Sequence, residues 1–225
     1  MTAQTMGHVF LEESHRTALF EGLVRAFVKF VAPPPTWTVL DLGCGPGGLA
    51  RILAASVAHV VGVDTDPNVI EAAGQTARDE GLANLIFDRG KLVALPYQPG
   101  QFDAALAANL LYQFSNPLDG VREMARVTRA GGTVAMINPS TKLTLDLAKA
   151  QLEKYVWTDF ERGMLISWAS YVDAGKVFTD QHATTLLTQA GLADVQTAAT
   201  MDGMFLMAKG TVLMTQAPAI RPSFQ

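Results

Sequence analysis

The stretch "TVLDLGCGPGGLARILA", residues 38–54, decides the fold. A short apolar run leads into glycines at 43, 45, 47 and 48, and a helical pattern follows at once. Glycine admits positive φ and lets the backbone pass close to a ligand, while the first N–H groups of a helix have no partner inside it. The order strand, glycine turn, helix is therefore that of a loop able to receive an adenosine-type ligand. It contains the pattern GxGxxG, which taken alone fits several such ligands and also a purely structural turn.

Working outward, the runs "HVVGVD", "NLIFDR", "DAALAAN" and "TVAMIN" read as further strands, separated by helices near 47–56, 67–80 and 117–129. Strands alternating with helices make βαβ units and a parallel sheet, and strands apolar nearly throughout are covered on both faces. Before them, residues 8–31 place Phe20, Leu23, Val24, Phe27 and Val31 at helical spacing, and prolines 33–35 end that helix. After them, residues 141–178 break the rhythm with helical material rich in aromatics, including Trp157 and Trp168. The segment "FTDQHATTLLTQAGL" then reads as a helix with Thr179 as N-cap and Gly191 as its closing glycine. Two β-type runs, "ADVQTAA" and "GMFLMAKG", complete the sheet. The expectation is one α/β domain with a doubly wound sheet: arm 1–36, core 37–140, lid 141–178, and completion of the sheet over 179–225.

Composition limits the function. The chain has 225 residues, of which 49% are apolar, enough for a sizeable core. A formal net charge of −4 disfavours nucleic acid as a partner. The single cysteine, Cys44, excludes an internal disulfide or a cysteine metal cluster. No run approaches a membrane span, and Glu12 and Glu13 stand where a signal peptide would be apolar, so a cytoplasmic protein with no membrane partner is expected.

Two carboxylates sharpen the reading of the loop. Asp41 lies two residues before the first glycine, where it would repel a pyrophosphate and attract a ligand bearing an amine and a sulfonium. Asp64 ends the second strand, where a carboxylate can accept from both ribose hydroxyls of NAD or of S-adenosylmethionine. With these residues in view, the chain resembles the class I S-adenosylmethionine-dependent methyltransferases of the small-molecule type. "VLDLGCGPG" resembles that family's first motif, "VVGVDTDPNVIEAA" its second, and "GQFDAALAANLLYQFSNPLDGVREMARVTRAGGTVAMINP" its fourth strand through its fifth. The likeness runs from about Trp37 to Pro139 and resumes from about Phe178 to Gly210.

The resemblance implies a Rossmann-like, seven-stranded, mostly parallel sheet whose last strand is antiparallel. It implies S-adenosylmethionine as cofactor, leaving as S-adenosylhomocysteine. Asp41, Gly43, Cys44, Gly45 and Gly47 would line the methionine half, Asp64 would hold the ribose with Thr65 beside the adenine, and Asn109 and Leu110 would lie along the methionyl group. This chain departs from the family in "GKLVALPY", which puts Lys91 where many relatives carry an acidic residue facing the adenine amino group. A charged lysine only donates. Adenine recognition then falls to the backbone of Lys91 and Leu92, or Asp88 turns inward, or binding is weakened.

The acceptor half is read from Tyr112, Gln113, Trp157 and Trp168. Each has a functional reading as a pocket residue and a structural one as packing; no catalytic residue is assigned beyond Tyr112 as a candidate. The aromatic insert suggests an apolar or planar acceptor. His8, Glu12 and His15 fall on one helical face, a conceivable metal or acceptor-binding cluster; a solvated face suits the spacing better and no metal is expected, while the resemblance, in which such arms often cover the pocket, leaves contact with substrate open. His59, His182 and Arg162 read as structural or exposed residues. "ANLLYQF" lacks the Asn-Pro-Pro-Tyr motif of base-methylating enzymes, and Cys44 sits in the loop rather than as a nucleophile, so a small-molecule acceptor is favoured, with a homodimer conceivable. Two alternatives stay open: an NAD-dependent oxidoreductase, and a catalytically silent relative that works through partners.

Overall fold

The computed structural model describes residues 12–172 and 177–213. Strand β1 (Thr38–Leu42) runs into the glycine turn and helix α2 (Gly48–Ala54), after a first helix, α1 (Ala18–Val31). Then follow β2 (His59–Asp64), α3 (Pro67–Asp79), β3 (Leu85–Arg89), β4 (Phe102–Ala108), α4 (Pro117–Val127) and β5 (Thr128–Pro139). The insert forms α5 (Leu145–Lys154) and α6 (Asp159–Val172), and the chain closes with α7 (Asp180–Gln189), β6 (Leu192–Thr200) and β7 (Phe205–Val212). The seven strands lie in the order β3-β2-β1-β4-β5-β7-β6, with β7 running against its neighbours β5 and β6. Strand order reverses between β1 and β4, so a crevice opens at their carboxyl ends, the usual ligand position in open α/β sheets.

Each face of the sheet carries its own apolar layer. On one face, α1 and α2 pack Phe27, Leu23, Leu49 and Leu53 on the sheet, and α6 of the lid adds Met164 and Leu165 to the same cluster. On the other, Val121 and Met124 of α4 and Leu186 and Leu187 of α7 cover β4, β5 and β7. Arm and lid thus share a face. Lys209 of β7 fixes the arm's far end, its Nζ donating to the Phe30 carbonyl at 2.7 Å and lying 4.9 Å from the Phe30 ring centre.

Local sequence sets the element ends. Asp66 caps α3 by accepting from Asn68 N at 2.9 Å, ahead of Pro67, and Thr179 caps α7 by accepting from His182 N at 3.1 Å. Gly191 follows α7 with φ of 86°. Two expectations are corrected. The arm is not one helix over 8–31: Thr17 adopts an extended conformation, its hydroxyl donates to Ser14 O and accepts from Phe20 N, and that cap starts α1 afresh. The helix expected over 117–129 stops at Val127, because Thr128 turns extended and opens a long β5. Among the described residues no helix is long and apolar enough to cross a membrane.

Phe27 is fully buried in the arm's contact with the core. Phe27→Ala is expected to lower the unfolding free energy by about 3–5 kcal/mol, read from the midpoint of urea denaturation at unchanged slope. A loss below about 1 kcal/mol would show that the arm does not unfold with the core.

Candidate active site

The glycine turn owes its shape to close packing. Gly43, Gly45 and Gly47 have φ of 61°, 50° and 83°. A Cβ on Gly43 would lie 2.6 Å from Leu110 Cδ1, and one on Gly47 2.7 Å from Phe87 Cζ. The turn is tied to the next strand through Cys44 N, which donates to Val63 O at 3.0 Å, and Gly45 N, which donates to Asp64 Oδ2 at 3.1 Å. Asp64 also accepts from Thr65 N at 2.6 Å and Asp66 N at 3.1 Å through its other oxygen. One carboxylate therefore holds two loops in register.

These loops form one end of a cavity of about 1190 Å³. Of the residues that the resemblance assigns to the cofactor, Gly43, Gly45, Asp64, Thr65, Lys91, Leu92, Asn109 and Leu110 line it. Asp41, Cys44 and Gly47 do not. Asp41 is 1% exposed, beneath α2, because strand alternation turns it to the side of Val39 and Ala50. Burial raises its carboxyl from the ordinary value to about 8, the Ala50 amide opposing and the Asp64 charge adding to the shift. Burial thus works against the charge expected here from the sequence and favours the protonated form near neutral pH. The Cys44 thiol is likewise buried and pushed up, first by burial and then by Asp41 and Asp64. Gly47 is taken up with the cap of α2.

The wall opposite is built from "GKLVALPY". The Lys91 and Ala94 backbones pair, with Ala94 N donating to Lys91 O at 3.0 Å, and Leu92 packs down on Gly120, where a Cβ would meet Leu92 Cδ2 at 2.6 Å. Asp88 does not turn inward; its Oδ2 accepts from the Tyr97 hydroxyl at 2.9 Å. Lys91 is an exposed residue on the cavity wall.

Past β4 the chain turns sharply at Asn109, which takes φ of 52°. Its amide donates to Ile137 O at 2.8 Å and its carbonyl accepts from Gln113 Nε2 at 2.9 Å. Both polar atoms of its side chain are buried with no hydrogen-bond partner among the described residues. Asn138 on β5, which sequence reasoning passed over, accepts from Tyr112 N at 3.2 Å, so it seats the turn carrying Tyr112 and Gln113. Its own amide nitrogen is buried with no hydrogen-bond partner among the described residues. A lone asparagine at a strand end carries no pattern that would have singled it out.

The arm and the insert complete the lining. His15 and Phe20 come from the arm, against Gly48 of the glycine turn, Ser167 and Trp168 from α6, and Tyr112 and Phe114 from the chain after β4. Trp168 rests edge-on against Phe205, ring centres 5.4 Å apart. Trp157 does not reach the cavity: its Nε1 donates to Gln151 O at 2.9 Å and its ring meets Tyr155. His15 stacks on Phe20 at 3.9 Å, and Gly48 N donates to its Nδ1 at 3.3 Å. That bond leaves the ring proton on Nε2. Burial, helped by the Arg51 charge, lowers its pKa to about 3, so His15 is a neutral donor and no base. The solvated helical face expected for His15 is thus corrected, because the chain turns at 15–17 and folds the ring inward. His8 lies outside the described residues, and among those described no group of side chains could hold a metal ion. His59 is exposed, His182 stacks on Phe178, and Arg162 is exposed away from the cavity.

Residues 35–191 match the model of a family described as a methyltransferase domain. Among curated proteins, the demethylmenaquinone methyltransferase of Lactococcus lactis subsp. lactis is 33% identical over 121 residues, which are 52% of this chain and 48% of that one. The chain spans 40% and 35% of the length of two further relatives. Among solved structures, an S-adenosylmethionine-dependent methyltransferase from Aquifex aeolicus superposes with a TM-score of 0.62 at 17% identity, covering 84% of this chain and 89% of that one. The [4+2]-cyclase SpnF superposes with a TM-score of 0.67 at 16% identity, covering 89% and 85%.

The buried Asp41 carboxyl makes a pH prediction. Its folded-state pKa is raised from 3.8 to about 8, so between these values the native state holds a proton that the unfolded chain has lost. Stability from this group therefore falls as pH rises through that window, at a limiting slope of about 1.4 kcal/mol per pH unit. Asp41→Asn, which keeps the neutral shape, is expected to match wild type near pH 4 and to become progressively more stable toward pH 8 in thermal melts. Parallel curves would show that Asp41 stays ionised in the fold.

Proposed function

The chain belongs to the methyltransferase-domain family, and from that premise we propose that it transfers a methyl group from S-adenosylmethionine to a small-molecule acceptor lodged between arm and lid. The observation that carries this is the cavity itself, whose one continuous lining includes both the glycine turn with Asp64 and the aromatic residues Phe20, Tyr112, Phe114 and Trp168. Its volume of about 1190 Å³ lies at the upper end of ligand pockets, in keeping with a large cofactor and its acceptor.

The residues present fit this cofactor. Asp64, on the wall at the end of β2, is the group to hold ribose hydroxyls. Asn109 offers a donor and an acceptor that no other described residue uses, on the same cavity wall as the turn at Gly43 and Gly45. Leu92 and Leu110 supply apolar walls for a flat ring, and the backbone of Lys91 and Leu92 takes the polar edge. Bound cofactor supplies an activated methyl group, so the chain need only align the acceptor and exclude water.

Of the described wall residues, neither His15 nor Asp64 reads as a ready general base, which leaves Tyr112 as the candidate to contact the acceptor. His15 is neutral with Nδ1 engaged, and the Asp64 oxygens already accept three amides. The acceptor would therefore arrive with its nucleophile free: an ionised hydroxyl, a stabilised carbanion or an uncharged amine. Phe20, Tyr112, Phe114 and Trp168 favour a planar or apolar body.

A second reading keeps the fold and drops methyl transfer. Lys91 stands where relatives offer an acceptor to adenine, and SpnF shares this architecture under the name of a cyclase. The NAD reading falls with the family assignment.

Calorimetric titration with S-adenosylhomocysteine, with NADH as control, separates these readings. Micromolar binding of the first alone is expected, and binding of neither would favour the second reading. Asp64→Ala is expected to weaken S-adenosylhomocysteine by about 1–3 kcal/mol, a factor of about 5 to 150. An unchanged dissociation constant would remove Asp64 from the ribose site.

A further inference from the structure

Helix α6 of the lid opens with Thr158 and Glu161, a capping pair in which each side chain serves the other's main-chain amide. Glu161 N donates to Thr158 Oγ1 at 3.2 Å, and Thr158 N donates to Glu161 Oε2 at 3.0 Å. In a capping box the second carboxylate oxygen is usually left to water. Here Glu161 is 5% exposed, and its Oε1 accepts from Leu19 N of α1 at 3.1 Å, across 142 residues of sequence. One buried carboxylate thus caps two helices, the lid's and the arm's. Burial alone would raise its pKa, but the amides of Thr158 and Leu19 outweigh that and hold it below the usual range, so it is charged at neutral pH.

Both segments carry cavity residues: Trp168 stands on α6 seven positions beyond Glu161, Phe20 on α1 next to Leu19, and His15 in the turn that precedes α1. His15 in turn accepts from Gly48 N, at a glycine where a Cβ would lie 2.8 Å from both His15 Nδ1 and Phe20 Cε1. A continuous chain of contacts therefore runs from the lid through Glu161 to the arm, and through His15 to the glycine turn. We propose that Glu161 is a positioning residue: it locks arm and lid into one body, and so sets where His15 and Trp168 close the acceptor half of the cavity against the glycine turn. Only the identity of what is enclosed rests on the methyl-transfer reading.

The test begins with ligand-free protein, by amide hydrogen exchange. Glu161→Gln keeps the side chain's size but turns one accepting oxygen into a donor. It is expected to speed exchange at Leu19 and at the Gly48 amide, the latter about tenfold, while Leu40 in β1 stays unchanged. No change at Gly48, or an equal rise at Leu40, overturns the proposal. Should this variant fail to fold, His15→Ala tests the same link from its other end, with faster exchange expected at Leu19 and none as the overturning result. In the second stage, release of S-adenosylhomocysteine is timed in both single variants and in the double variant. Both singles are expected to release faster, and the double no faster than the quicker single, because they cut one chain of contacts; multiplying effects would mean two unrelated defects. Absence of binding to wild type would sink the methyl-transfer reading alone, and the exchange result would still decide the role of Glu161.

Discussion

The site depends on one carboxylate accepting three main-chain N–H groups. Asp64 takes the amide of Gly45 with one oxygen and those of Thr65 and Asp66 with the other, fastening the turn after β1 to the turn after β2. Without such a tie, two glycine-rich or polar turns at adjacent strand ends would sample many conformations, since glycine restrains the backbone least. With it, the turn is fixed closely enough for Leu110 and Phe87 to pack against bare glycine backbone at distances no other residue would permit. The carboxylate that suits a ribose is also the one that builds the turn, so binding and architecture cannot be varied independently at this position.

The sheet was legible because its signals were redundant. Each strand from β1 to β5 is apolar over its central residues, each intervening helix has its own stop or start, and the glycines fall at a strand end. The antiparallel β7 followed from the family likeness rather than from its own residues. Periodicity located the arm but not its break, since Thr17 acts through a hydroxyl that a hydrophobic pattern does not register. Helix and strand boundaries near 127 were blurred for a similar reason: Thr128 suits either state, and only its pairing with Phe102 across β4 decides.

The lining of the cavity was legible in part on both sides: Gly43, Gly45 and Asp64 from the motifs, and Tyr112, Gln113 and Trp168 of the residues read for the acceptor, all face it, whereas Asp41, Cys44, Gly47 and Trp157 do not. Gly43, Gly45 and Asp64 sit within a few residues of a strand end, where a motif fixes their positions. Asp41 belongs to the same motif, yet its chemistry turns on whether α2 covers it, which is a tertiary fact; coverage changes a charged residue into a neutral one. His15, Asn138 and Glu161 reach their places through contacts with residues 33, 26 and 142 positions away. No spacing rule spans such separations, and the residue types involved are common on any surface.

Lys209 gives the arm a mechanical character. Helix α1 is tied at its carboxyl end, where that ammonium meets the Phe30 carbonyl and ring, and the chain at its amino end is tied by hydrogen bonds to Glu161 and Gly48, with Leu19, Phe20, Leu23, Val24 and Phe27 buried in between. It is a beam clamped along its whole inner face. Fourteen helical residues span about 21 Å, so a tilt of about 10° about the pinned end carries the His15 end about 4 Å. Such a displacement would be largest at Leu19 and Phe20, which are themselves buried, so the packing that shapes the cavity wall also resists its opening.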